Sequence, residues 1–316
     1  MSAGYESFYL RAADPAGGLG FWIRYTVHRA PGRRPTGSLW CTFFDADNPA
    51  PMAAKTTMDD PRADGPEWIR IGDAVVGAGG ARGGIEVPSG LRVSWDLSFS
   101  GADLFPHLPR SWMYGAPLPR TKPVSLHPTA RFDGTLVIGD RTVSVAGWPG
   151  MVGHNWGSEH AERWIWLHGT GFAGDEDAWL DVVLARIRVG RWTTPWSGFG
   201  ALCLDGRRHR LGGLSRVRAT QVDEHPDRLT FTMTGDHGLQ VLGHVSAPKE
   251  RFVGWVYADP DGGGHDVAHC SIADLEVTLD RPGQPPRTLR AVGTAAYELG
   301  MREHDHGIAI QPIPDG

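Results

Sequence analysis

The chain has 316 residues, is 41% hydrophobic and 21% charged, and carries a formal net charge of -5. That composition belongs to a globular protein; its apolar runs fall far short of the roughly 20 residues that span a bilayer, and its basic residues are scattered, so stable membrane insertion and nucleic-acid binding are both excluded. The expected partner is a hydrophobic small molecule.

The first residues, MSAGYESFYLRAADP, contain neither a basic n-region nor a continuous apolar h-region. They predict no cleaved secretion signal and a cytoplasmic location. Cys41, Cys203 and Cys270 are odd in number, widely spaced and outside any Cys-x-x-Cys pattern, which argues against a disulfide framework and a zinc knuckle. They read as reduced apolar fillers.

Gly and Pro are abundant but dispersed, as suits tight turns between short strands. Phe21 to His28, Ser38 to Phe44, Leu91 to Phe99 and Thr135 to Val145 are β-branched and aromatic segments bounded by turn residues, and each predicts a strand. Between them lie two irregular stretches. Pro49 to Ala81 is rich in Asp, Pro and Gly, with Gly77 to Gly84 reading as a mobile loop or hairpin turn; Phe105 to Pro128 carries six prolines and predicts an extended wrap across the N-terminal half.

After the middle of the chain the strand pattern resumes at Ala178 to Val189, Gly198 to Leu204, Ser215 to Thr220, Arg228 to Thr234, Leu239 to Val245, Phe252 to Ala258 and Cys270 to Leu279. Convincing helical periodicity is nearly absent. Many short strands without intervening helices predict an all-β protein of antiparallel sandwiches or barrels, with barrels favoured because closure removes exposed edges. The length suits two domains of about 150 residues, with one large β domain as the alternative. A boundary near 146–160 divides the chain into 1–150 and 151–316.

That boundary falls on Gly150 to Gly169, GMVGHNWGSEHAERWIWLHG, where Trp156, Trp164 and Trp166 accompany His154, His160 and His168. A buried Trp needs space and an acceptor for its N–H, so this density predicts a built aromatic wall. If Trp164 to His168 is a strand, period two puts Trp164, Trp166 and His168 on one face and Ile165 and Leu167 on the other. In the next strand Trp179, Asp181 and Val183 share a face. Asp181 is thus a carboxylate in an apolar run, where burial would raise its pKa and make it an acid at neutral pH. The alternatives are structural: an ion pair of Asp181 with Arg186 or Arg188, core packing for the tryptophans, and backbone satisfaction by His154 and Asn155 at an interdomain turn.

The motif Gly153-His154-Asn155-Trp156-Gly157, followed by Trp164-Ile165-Trp166 in a wholly β chain, resembles the AttH and hydroxyneurosporene synthase superfamily, relatives of which include carotenoid 1,2-hydratases, tocopherol cyclases and lipocalin-like Diels-Alderases. The resemblance implies two lipocalin-like (calycin) antiparallel β-barrel domains in tandem, with a hydrophobic ligand site in or between them. It also implies a His-x-Trp pair at His154 and Trp156 and a downstream acid pair at Trp179-Leu180-Asp181, where a Trp replaces that family's Tyr.

The resulting expectation is a cofactor-independent enzyme that hydrates, cyclises or isomerises an isoprenoid or polyketide-derived molecule. Asp181 and His154 would be catalytic. Trp156, Trp164, Trp166, Trp179, His168 and Asn155 would bind substrate, with the tryptophan faces shielding positive charge. The alternative is a non-catalytic lipocalin-like carrier.

No metal site is expected. His160 and His168 would lie about 26 Å apart if 160–168 were one strand. The pair His265 and His269, in a Gly-rich turn, and the run Glu303-His304-Asp305-His306, near the chain terminus, both read as solvated loop residues. Walker A and G-x-S-x-G signatures are missing. Tyr297-Glu298 supplies a second candidate acid, ranked below Asp181 because Ala295, Ala296 and Gly300 would enclose it less.

Overall fold

Alternating side-chain periodicity between turn residues gives strands almost throughout a computed structural model, which describes residues 4–59, 61–62, 67–260 and 262–313. The strands are β1 (Gly4–Ala13), β2 (Leu19–Arg29), β3 (Thr36–Asp45), β4 (Asn48–Asp59), β5 (Ile69–Ile71), β6 (Ala74–Gly77), β7 (Gly80–Glu86), β8 (Arg92–Gly101), β9 (Phe105–Pro106), β10 (Thr121–Ile138) and β11 (Arg141–Gly157). There follow β12 (Arg163–Phe172), β13 (Asp175–Arg186), β14 (Arg188–Val189), β15 (Trp192–Thr193), β16 (Ser197–Leu204), β17 (Arg207–Gly212), β18 (Gln221–His225), β19 (Arg228–Thr234), β20 (Gln240–Ser246), β21 (Val253–Ala258), β22 (Gly264–Asp280) and β23 (Arg287–Met301).

They form two large antiparallel, barrel-like sheets and one small ribbon, β14-β15. The first sheet runs β4-β3-β2-β1-β11-β10-β8-β7-β6-β5, with β9 added to β10; the second runs β17-β16-β13-β12-β23-β22-β20-β19-β18, with β21 added to β22. The plan is the same in both. The first and last strands of each sheet pair in its middle, β1 with β11 and β12 with β23, and strands from mid-segment form its edges. In the second sheet a bridge from Leu211 of edge strand β17 to Gly235, just past β19, brings the two ends of the sheet together. One sheet ends at Gly157 and the other begins at Arg163.

Period two explains why β1 to β3 are buried on both faces. Phe21, Ile23, Tyr25 and Val27 of β2 fill the first sheet's core, together with Leu10 of β1 and Leu39 of β3. The intervening Trp22, Trp40 and Phe44 join the core of the second sheet. The sheets therefore dock along a seam that is itself core.

Several segments depart from the sequence reading. Thr135 to Val145 is a hairpin rather than one strand, because Gly139 takes a left-handed φ of +58° between β10 and β11. Ser215 to Thr220 is largely a 3-10 turn, Leu214–Ala219, with no buried residue to hold it in a sheet. Pro49 to Ala81 holds β4 to β6 and the start of β7; the part at 60 and 63–66 lies outside the described residues. Its glycine-rich end turns between β6 and β7, where Gly77 pairs with Gly80.

The proline-rich wrap crosses the seam instead of lying on the first sheet alone. Arg210 of β17 donates to the carbonyls of His107 (3.2 Å) and Pro106 (3.0 Å). Its final third joins β10, where register shifts accommodate Pro128.

Candidate functional site

The seam encloses a cavity of about 120 Å³. Tyr9, Trp22 and Arg24 line it from the first sheet, Leu108 and residues 118–121 from the wrap, Asn155 from β11, residues 159–162 from the connection between sheets, and Trp164, Trp166, Val183, Phe199, Tyr257 and Glu298 from the second half. An apolar cavity of about 150 Å³ admits benzene, so the space suits an aromatic ring or a branched isoprenoid head.

Two glycines set the positions of the aromatic walls. Gly300 pairs across the strands with Trp164, and Gly153 with Tyr9. A Cβ at either would collide with the opposing ring, so each ring lies flat on its glycine. The first glycine of the GHNWG motif is thus a seat for Tyr9. Gly300→Ala is expected to displace the Trp164 indole, lowering stability by about 1–3 kcal/mol and weakening ligand binding; thermal melts and tryptophan fluorescence titration check both, and an unchanged affinity would show that the indole does not shape the site.

Glu298 brings a carboxylate to this wall and is 8% exposed. Trp164 Nε1 donates to Oε1 (2.9 Å) and the Tyr257 hydroxyl to Oε2 (3.2 Å), while His269 Nδ1 lies 3.3 Å from Oε2. Burial pushes the carboxyl's pKa up, but His269, then Trp164 and Arg24, outweigh it and hold the pKa below the ordinary value. Tyr257 stays protonated, its pKa driven well up by burial. The site therefore presents an ionised carboxylate among aromatic faces. The Arg24 guanidinium stacks on Tyr257 at 4.0 Å and adds a cation on the same side.

Asp181 does not line the cavity; it lies one hydrogen bond behind Trp166, whose Nε1 donates to it at 3.3 Å. It is fully buried, accepts a short hydrogen bond from Ser125 Oγ and sits 3.3 Å from His107 Nε2. Burial alone would raise its pKa as the sequence reading expects, but His107, with His168 and Ser125, pulls it below normal. Its partners are His107 and Ser125 of the wrap. Arg186 and Arg188 bond elsewhere, to Thr194 and Glu162.

His168 lies deeper still. Its Nε2 donates to the Pro128 carbonyl (2.9 Å), which fixes the tautomer and leaves Nδ1 facing Arg11 Nη1 at 3.3 Å. Burial, then the Arg11 charge, pushes its pKa down to about 4. The unfolded chain takes up a proton here near pH 6.5 and the folded chain only near 4, so this stabilisation is complete above pH 6.5 and is lost as pH falls, by about 3 kcal/mol at full extent. Thermal midpoints should fall between pH 7 and 5, and less steeply in His168→Gln; equal slopes would remove His168 from the account.

The other sequence-predicted residues are dispersed. Trp164, Trp166 and Asn155 line the cavity. His154 and Trp156 do not: His154 stacks on Phe8 at 4.1 Å and on Trp156 at 4.7 Å, and bonds to Glu6 at 3.2 Å. His154 shares its face of β11 with Val152, in the first sheet's interior, so the structure separates it from Asp181. Trp179 packs on Phe105 and Ala201 instead. His160 is in the connection before β12, stacked on Tyr5 at 4.3 Å and bonded to Asp259 at 2.8 Å. His265, expected to be solvated, is fully buried beside it, and His306 is also buried, on Asp266.

His107, Ser125, Arg24, Tyr257 and Asp259 are missing from the sequence reading. The available signals were the charged Arg24 amid the aromatic and aliphatic residues of β2 and the hydroxyl of Tyr257 in β21.

No family model matches the chain. Two curated relatives from Mycobacterium tuberculosis, the uncharacterized proteins MT0513 (strain CDC 1551 / Oshkosh) and Rv0493c (strain ATCC 25618 / H37Rv), are each 28% identical over 317 residues, covering 98% of this chain and 89% of theirs. Among solved structures, the AttH candidate NE1406 of Nitrosomonas europaea superposes with a TM-score of 0.52 at 14% identity, over 94% of this chain and 91% of that one. Kievitone hydratase of Nectria haematococca superposes at 0.55 and 9% identity, over 94% and 88%. The chain has the fold of these two proteins.

Proposed function

We propose that the protein is an enzyme of the AttH and hydratase-like group that moves a proton on a small apolar molecule, isoprenoid or polyketide-derived, held in the seam cavity. The observation that carries this reading is Glu298: an ionised carboxylate, held by Trp164, Tyr257 and His269 in an otherwise aromatic wall. An ionised carboxylate can take a proton from the substrate or from the water that adds to it and, as the acid so formed, return that proton to the neighbouring carbon. Glu298 thus replaces Asp181 at the reacting centre.

Trp164 and Trp166 offer ring faces to a developing cation. Asn155 Oδ1 is buried without a hydrogen-bond partner among the described residues, and with Arg24 it gives the cavity polar handles for a substrate oxygen. Asp181 positions Trp166 through its indole N–H. We place the division into two domains at the connection between the sheets, near the expected 150/151 boundary. The three cysteines are unpaired, two of them buried, which suits the cytoplasm. Among the described residues no helix is long and apolar enough to cross a membrane.

The test is extraction of protein isolated from its own cells, identification of the bound molecule by mass spectrometry, and incubation of that molecule with fresh protein in ¹⁸O-water. Label entering the product supports hydration, and a rearranged unlabelled product supports cyclisation or isomerisation. A ligand recovered unchanged would favour a carrier, which the predominantly apolar lining also suits.

A further inference from the structure

Behind Trp164 and Tyr257, at the edge of the cavity, three buried side chains from separate segments meet. His160 comes from the connection between the sheets, Asp259 from the turn after β21, and His265 from the start of β22; each can offer one ligand atom such that all three atoms lie within 4.8 Å of one another. His160 Nδ1 is 2.8 Å from Asp259 Oδ1, and His265 Nδ1 is 3.5 Å from Oδ2. We propose that His160, Asp259 and His265 bind a divalent transition-metal cation, zinc foremost.

Three observations support this. Zinc bonds of 2.0–2.1 Å to nitrogen and oxygen in a tetrahedron place ligand atoms about 3.3 Å apart, and one ligand atom from each of the three residues lies within 4.8 Å of the other two, close enough for small side-chain shifts to close on an ion. His265 is fully buried, yet neither of its ring nitrogens has a hydrogen-bond partner among the described residues. Such an orphan costs free energy that a metal bond would recover. The donor set, two imidazoles and one carboxylate, is one that zinc sites use with a fourth position left for water or substrate.

The nearby cation does not oppose binding on its own, because Arg302 is paired with Glu162 (Nε to Oε2, 3.0 Å). His160 also lines the cavity, so the ion would sit at its wall, where a bound water or substrate oxygen would be polarised. Glu298 is not one of the three ligands; Trp164 and Tyr257, which bond to it, separate it from His160 and His265.

The experiment uses the untagged full chain, freed of metal by chelation and then titrated with zinc by calorimetry and with cobalt by visible absorption. One equivalent per chain with an intense tetrahedral cobalt spectrum is expected. Affinity should fall about 100-fold or more in His265→Ala and in Asp259→Asn, since even outer-shell changes cost 10–100-fold. Wild-type protein that takes up no stoichiometric metal, or variants that retain full affinity, would overturn the site. If His265→Ala fails to fold by circular dichroism, His160→Asn and the wild-type cobalt spectrum decide. Glu298→Gln should bind zinc normally, so a failed catalytic reading and a failed metal site give different results.

Discussion

Glu298→Gln is expected to lower turnover by about 10²- to 10⁴-fold, the usual contribution of a positioned acid or base, while ligand affinity stays near that of the parent. Glutamine preserves the volume and can still accept from Trp164 Nε1, so the aromatic wall keeps its place. It cannot take up a proton. Single-turnover mass spectrometry on the extracted ligand measures the loss, and quenching of Trp164 and Trp166 fluorescence measures binding. Turnover kept within about threefold would remove Glu298 from the chemistry, since a general base contributes far more than that. A parallel loss of affinity would instead assign it to binding.

The second large effect is on stability. Arg11, fully buried on β1, donates through Nη2 to the carbonyls of Ser271 (2.7 Å) and Thr294 (2.6 Å). Those carbonyls fall where the β22-β23 ladder slips its register twice, Ser271 between Cys270 and Ala273, and Thr294 opposite the step from Ala273 to Leu275. An arginine of the first sheet thus completes an irregularity in the second. Burial pushes its pKa down to about 9, which leaves it charged at neutral pH.

Arg11→Met keeps the length of the side chain but strands two buried carbonyls, each costing about 1–3 kcal/mol, partly offset because a charge is no longer buried. A net loss of about 3 kcal/mol is expected, read as a lower urea midpoint. A change under about 0.5 kcal/mol, the range of neutral surface substitutions, would mean that the slip is satisfied without Arg11.

Strand identity was legible because each strand carries its own alternation: FWIRYTVH and WIWLH could be read residue by residue. The face shared by Trp164, Trp166 and His168 followed from the same rule. What could not be read was which strands meet. Asp181 was conspicuous, but its partners His107 and Ser125 come from the wrap, more than 50 residues away, and they reverse its pKa.

Glu298 was ranked second because Ala295, Ala296 and Gly300 looked too small to enclose it. Their smallness is the reason it is enclosed: Gly300 leaves room for Trp164, and Ala296 packs with Trp166. His265 looked solvated because its glycine-rich neighbourhood is loop-like, whereas the seam covers it. In each case a local rule gave the residue's type of environment, and tertiary contact decided otherwise.

The pairing of first with last strands also governs how the chain folds. β1 cannot close its sheet until β11 exists, and β12 must wait for β23, so both sheets have high contact order and slow closure. A first sheet that closed during synthesis would do so while Ser271 and Thr294, 260 and 283 residues from Arg11, were still unmade. For that interval it would expose Trp22, Trp40 and an unpaired arginine to solvent. A chain with only its first sheet closed would therefore carry the apolar seam uncovered, a surface prone to aggregate.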